Sequence, residues 1–130
     1  MVSTQLEYAE KRMKQKWFDL VMAFNCIHDM ARPRAALAGI RRVLKPQGAF
    51  LWSEADVSDR LEDNLNTFGR TLYGASTMHC LTVSLAENGE GLGSAIGENL
   101  ARSLAAEAGF ATFEKLPVKN PYHQVFLVRP

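Results

Sequence analysis

The chain is expected to fold as an α/β domain, and three observations in its 130 residues predict this. Residues 18–24 and 49–52 are nearly continuous apolar runs, the pattern of strands covered on both faces in a parallel sheet. Between them Ala36, Leu37, Ile40, Val43 and Leu44 recur at helical spacing, which makes a strand–helix–strand crossover. Near the C-terminus two short strand-like segments, 111–116 and 124–128, flank the turn Lys119-Asn120-Pro121 and predict an antiparallel hairpin.

Taken in order, residues 3–16 read as a polar helix with a thin apolar stripe of Leu6, Ala9 and Met13. The strand 18–24 follows. Pro33 suits the first turn of the next helix, and Pro46-Gln47-Gly48 stops that helix before the second strand. Residues 56–63 are polar and read as a loop entering a helix marked by Leu65, Phe68, Leu72 and Tyr73. Residues 81–85 alternate like a strand, but a helical reading extends what precedes them and is preferred. Residues 88–93 are a glycine-rich loop. Ser94 is the expected cap of a helix reaching Ala108, with Ile96, Leu100, Leu104 and Ala108 on its apolar side and Glu98–Arg102 as a supporting pair. Gly109 supplies a left-handed stop, with Phe110 packing behind it.

Composition narrows the function classes. Fifteen Lys and Arg against fourteen Asp and Glu leave a formal charge of +1, so neither nucleic acid nor an anionic membrane is an expected partner. The run Lys11-Arg12, Lys14, Lys16 reads as a solvated helix face, since aromatic interleaving is missing. Two cysteines, Cys26 and Cys80, make no disulfide framework and read as reduced thiols. The polar first sixteen residues hold no signal-peptide core, and no apolar run approaches a membrane span. A cytoplasmic location is the expectation.

Three motifs appear in a telling order: Phe18-Asp19-Leu20-Val21, Leu44-Lys45-Pro46-Gln47-Gly48 and Glu107-Ala108-Gly109-Phe110. Together they resemble the second half of the catalytic domain of class I S-adenosylmethionine-dependent methyltransferases, with Gln47 where glycine is more usual. Ile27-His28-Asp29, Leu61-Glu62-Asp63-Asn64, Ser76-Thr77-Met78-His79-Cys80 and Gly89-Glu90-Gly91-Leu92-Gly93 resemble a bacterial subgroup whose members carry an N-terminal winged-helix domain. The resemblance implies a partial Rossmann-like sheet, mostly parallel, ending in an antiparallel hairpin whose last strand inserts between its neighbours. It divides the chain into a polar helical leader, 1–17, and the C-terminal half of a catalytic domain, 18–130, with a helical insertion at about 57–93.

The implied activity is methyl transfer from S-adenosylmethionine to a small-molecule acceptor. The family's glycine-rich cofactor loop and ribose-binding acid lie upstream of the part resembled. The alternative is therefore a truncated or partner-dependent half-domain that is not catalytic alone. A lone strand 18–24 would also present an apolar edge, which predicts a homo-oligomer or a complementing N-terminal half.

Ligands of open parallel sheets bind beyond the carboxyl ends of the strands, which directs attention to residues 25–29 and 53–56. By the resemblance, Asn25, Cys26 and His28 lie at the cofactor edge. An amide at Asn25 suits an amino-acid zwitterion, and also suits a turn capping its own backbone. His28 is a candidate general base, with a packed histidine as the alternative. His79 is the second catalytic candidate, and Glu54, Tyr73, His79 and Glu90 are candidates for the acceptor side. Asp29 reads as a helix cap. Glu54 and Asp56 could both line the acceptor pocket, and as loop carboxylates both also read as merely solvated. Cys26, His28, His79 and Cys80 are zinc-ligand types, but their spacings are not those of common structural sites, so no metal is expected. Residues 89–93 superficially copy a dinucleotide loop, with Glu114 as the distant acid; the helical reading of 81–85 argues against it.

Overall fold

A computed structural model describes residues 17–130. The expected helix at 3–16 lies outside the described residues. Four strands form one sheet: β1 Phe18–Phe24, β2 Leu44–Ala55, β3 Thr112–Leu116 and β4 His123–Arg129. The spatial order is β1-β2-β4-β3. β1 and β2 are parallel, and β4 is antiparallel to both β2 and β3. The last strand thus inserts between β2 and β3, as the methyltransferase resemblance implies.

The crossover helix α1 spans Pro33–Val43 with Pro33 in its first turn. The expected stop at Pro46-Gln47-Gly48 is a correction: the chain is already extended from Leu44, and β2 runs twelve residues. Phe18 pairs with Leu44 and Leu20 with Ala49, so the register shifts there. Proline has no N–H to continue a helix, and a parallel neighbour is available to pair the freed backbone.

α2 Thr67–Met78 and α3 Cys80–Ala86 follow β2. Residues 80–86 are helical, as preferred, but His79 breaks the run with φ −133° and ψ −75°. Asn66 caps α2 by accepting from the Gly69 amide at 2.9 Å. The last helix, α4, spans Glu98–Glu107 and follows Gly97. Ser94 is therefore not its cap. Asp59, from the loop after β2, accepts from the Asn99 and Leu100 amides, each at 2.9 Å. A long-range carboxylate thus takes the capping place that a local serine was expected to fill. Gly109 does end α4, at φ 86°.

The core lies between one sheet face and the two helices α1 and α4. Phe50, Trp52, Phe126 and Val128 from the sheet, Leu37 from α1 and Ala101 and Leu104 from α4 are fully buried. Phe110 stacks on Phe50 with centroids 5.9 Å apart. The expectation that both faces of β1 are covered is corrected. Val21 and Ala23 face the core, whereas Phe18, Leu20, Met22 and Phe24 are 50–57% exposed. Both helices pack on one side of the sheet, so the alternate side chains of β1 project from the other.

Candidate active site

At the carboxyl ends of β1 and β2 the chain makes a cavity of about 230 Å³. Asn25 and His28 come from the turn after β1, Ala55 from the end of β2, Tyr122 from the bend before β4 and His123 from its start. Phe68, Leu72 and Ala75 of α2, with Cys80 and Ser94, close the other side. These segments therefore roof the place that the sheet topology marks for a ligand.

β1 ends abruptly at Asn25, whose φ of 47° lies in the left-handed region. Asparagine is among the few residues that tolerate this conformation. The turn is held because the Asn25 amide donates to the Ser53 carbonyl at 2.9 Å. Its side-chain Nδ2 donates to His123 Nε2 at 2.8 Å. A single helical turn, Ile27–Asp29, then carries His28 inward.

His28 is 5% exposed and Glu54 is fully buried. His28 Nδ1 donates to Glu54 Oε2 at 2.5 Å, and the Trp52 indole donates to Glu54 Oε1 at 2.7 Å. The second ring nitrogen, Nε2, lies 3.3 Å from Asp29 Oδ1. Burial by itself would lower the histidine pKa. The hydrogen bond to Glu54 and the charges of Glu54 and Asp29 together outweigh it and hold the pKa above the ordinary imidazole value. Burial, and then a hydrogen bond to Asp29, push the Cys80 thiol up to about 11.

The structure brings together only part of the set expected from the sequence. Asn25 and His28 share the cavity, and Glu54 stands directly behind His28. Cys26 is half-buried and does not line the cavity. Tyr73 points elsewhere, its hydroxyl accepting from Asn64 Nδ2 at 3.1 Å. His79 is exposed at the break between α2 and α3. Glu90 is exposed and paired with Arg34. Asp56 forms an ion pair with Lys115 at 3.2 Å. Residues 89–93 follow the helix α3, not a strand, so the dinucleotide-loop pattern lacks the context its chemistry needs. Tyr122 and His123 are marked by no sequence motif, and Ser94 only as a helix cap. Their proximity depends on the hairpin register and on how α2 and α3 pack, neither of which a local motif encodes.

Residues 2–52 match a family of methyltransferase domains. No curated protein sequence matches the chain. Among solved structures, a candidate O-methyltransferase of Nostoc punctiforme superposes with a TM-score of 0.62 at 18% identity, covering 89% of this chain and 33% of its own. Human N-acetylserotonin methyltransferase, solved with S-adenosylmethionine, gives 0.58 at 19%, covering 85% and 29%. The trans-methyltransferase CalH, solved with S-adenosylhomocysteine, gives 0.61 at 20%, covering 94% and 32%. This chain spans about a third of the length of these structures. It has the fold of the C-terminal part of a class I methyltransferase catalytic domain. Among the described residues, no helix is long and apolar enough to cross a membrane.

Proposed function

We propose that the chain forms the acceptor side of an S-adenosylmethionine-dependent methyltransferase acting on a hydroxyl group of a small molecule, with His28 as general base. One observation carries this reading: a buried histidine–carboxylate pair, His28–Glu54 at 2.5 Å, borders the cavity at the strand ends. A neutral hydroxyl is a poor nucleophile until its proton is taken, and a histidine held by a carboxylate takes it near neutral pH. Glu54 fixes His28 with Nδ1 inward, which leaves Nε2 as the atom that receives the proton. The same carboxylate then stabilises the imidazolium.

When bound, S-adenosylmethionine supplies an electrophilic methyl group on a sulfonium. Asn25 suits the cofactor edge, since its side-chain amide lines the cavity at the end of a parallel strand. His123 orients that amide by accepting from Nδ2. Phe68, Leu72 and Ala75 exclude water and favour an apolar acceptor body. Aligning acceptor and methyl carbon is where much of the rate arises.

A second reading is favoured by β1, which pairs on one side only among the described residues. In this reading the chain is catalytically complete only with a complementing N-terminal half or a second copy of itself.

Calorimetric titration of the folded chain with S-adenosylhomocysteine, followed by methyl transfer to a panel of hydroxyl acceptors, tests both. Binding and turnover, with turnover lost in His28→Ala and binding retained, support the first reading. A folded chain that neither binds nor turns over sinks the first for the isolated chain and favours the second.

A further inference from the structure

His28 and Cys80 line the cavity, and Asp29 stands beside both. One ligand atom of each lies within 4.8 Å of those of the other two. From this geometry we infer that these three side chains form a binding site for a divalent transition-metal ion of the zinc class, with a fourth position open to the cavity.

The donor set is one imidazole, one carboxylate and one thiolate, all regular ligands of that ion class. With bonds of about 2.0–2.1 Å to nitrogen and oxygen, a tetrahedral ion spaces two such donors about 3.3 Å apart. The separation between His28 Nε2 and Asp29 Oδ1 is 3.3 Å. Asp29 Oδ1 is a buried atom without a well-formed hydrogen bond, and the groups beside this carboxylate are His28 Nε2 and the Cys80 thiol, the other two members of the set. A carboxylate oxygen left in this state invites a cation.

His28 is already oriented as metal-ligating histidines are. Its Nδ1 donates to Glu54, and Glu54 is fixed in turn by the Trp52 indole. A carboxylate on one ring nitrogen sets the tautomer, directs the other toward a metal and raises its basicity. His28 and Cys80 both line the cavity, so the fourth position faces the space where an acceptor would sit. Three protein ligands and one open position form the arrangement of exchangeable rather than sealed sites.

Binding would displace the Cys80 thiol proton, and any proton on His28 Nε2, to the buffer. No electron transfer is involved. The consequence for methyl transfer rests on the role given to His28 above: a metal on Nε2 occupies the lone pair that would take the acceptor proton. Metal and general-base chemistry then exclude one another, and the ion acts as an inhibitor competitive with the acceptor.

Cobalt(II) titration of the full chain, reduced and monitored for folding by circular dichroism, is the test. The expected result is a thiolate-to-cobalt charge-transfer band with intense visible bands of tetrahedral type, bleached by zinc. Cys80→Ser should abolish the charge-transfer band, and Cys26→Ser, which removes the other free thiol, should leave it. Asp29→Asn removes a direct ligand and should weaken binding by at least about 10- to 100-fold, the loss typical of an outer-shell partner alone. A folded chain without the band, or a band lost with Cys26 and kept without Cys80, overturns the inference. These readouts do not depend on turnover, so failure of the methyl-transfer reading leaves them intact. If both hold, zinc inhibition should disappear in Cys80→Ser.

Discussion

Both carboxylate oxygens of Glu54 are engaged, one by His28 and one by the Trp52 indole, and the side chain has no exposed surface. Removing one partner of a buried pair leaves the other uncompensated. Glu54→Ala is therefore expected to destabilise the fold by about 3–5 kcal/mol, checked by urea unfolding. The pH dependence has a definite sign. The folded pKa of His28 is raised, so its stabilising contribution is complete below the unfolded value, about 6.5, and is lost as pH rises through the folded pKa. Unfolding free energies measured across that window should fall with pH in the native chain and fall less in Glu54→Gln. A flat native profile would mean that the pair does not titrate. If turnover is observed, its rate should rise through the same folded pKa, and Glu54→Gln should move that limb to lower pH. The residue scale also shows why the site was only partly legible. His28 and Asn25 sit beside a strand end that the apolar run itself announces. His123 reaches Asn25 from ninety-eight positions away, and no local spacing encodes that. Asn25 separates conformation from chemistry: Asn25→Gly keeps a residue suited to φ 47° and removes the amide. We expect its melting temperature to stay close to native while S-adenosylhomocysteine binding weakens by about tenfold, the loss of about 1.4 kcal/mol of hydrogen bonding. Unchanged binding would remove Asn25 from the cofactor edge.

At the scale of elements, the sequence marked the helices better than their ends. Helical spacing finds Leu100 and Leu104 on the packed side of α4, while Ile96 and Ala108 fall outside the helix and the buried Ala101 and Ala105 are too small to mark the stripe. The start of α4 was misplaced because the capping oxygen comes from Asp59, forty positions away. Gly97 makes room for that carboxylate: a Cβ there would stand 2.4 Å from the Asp59 carboxyl carbon and 2.5 Å from its backbone nitrogen. Asp59→Ala removes the acceptor for two amides and is expected to cost about 1–2 kcal/mol, visible as a lower urea midpoint. If the midpoint does not move, solvent caps α4 equally well. The roof of the cavity is pinned in a similar way. Ser76 Oγ accepts from the Ser94 amide at 2.9 Å, and Gly93, at φ 70°, would place a Cβ 2.6 Å from that hydroxyl. The glycine-rich loop thus has a steric reason for its composition, independent of nucleotide binding. The β1 expectation failed for a related cause. A continuous apolar run says that both faces of a strand avoid water, but it does not say which chain supplies the second cover.

That gap becomes a property of the whole molecule. Phe18, Leu20, Met22 and Phe24 form an exposed apolar row along β1. Among the described residues the strand has a hydrogen-bonded neighbour on one side only. Fully burying side chains of this kind is worth roughly 1.5–3 kcal/mol each. Four of them, each about half exposed, leave on the order of 3–6 kcal/mol unrealised. An open edge beside such a row is a template for another strand. The chain should therefore associate through β1, with a second copy of itself or with a chain that supplies the adjoining strands. Light scattering over a range of concentrations should show the apparent mass of the native chain rising. Leu20→Lys with Met22→Lys places charges on the exposed row, away from the core residues Val21 and Ala23. It should suppress the rise while changing unfolding free energy by no more than about 0.5 kcal/mol per site. A native chain that stays monomeric at high concentration would mean that the row is covered within the molecule or tolerated in water. An association that survives both lysines would place the contact elsewhere on the surface. If the row is where the remaining strands dock, mixing the chain with such a partner should protect the β1 amides from hydrogen exchange first, because edge strands without a neighbour exchange readily. The lysine variant should lose that protection while the β2 and β4 amides, paired on both sides, keep theirs.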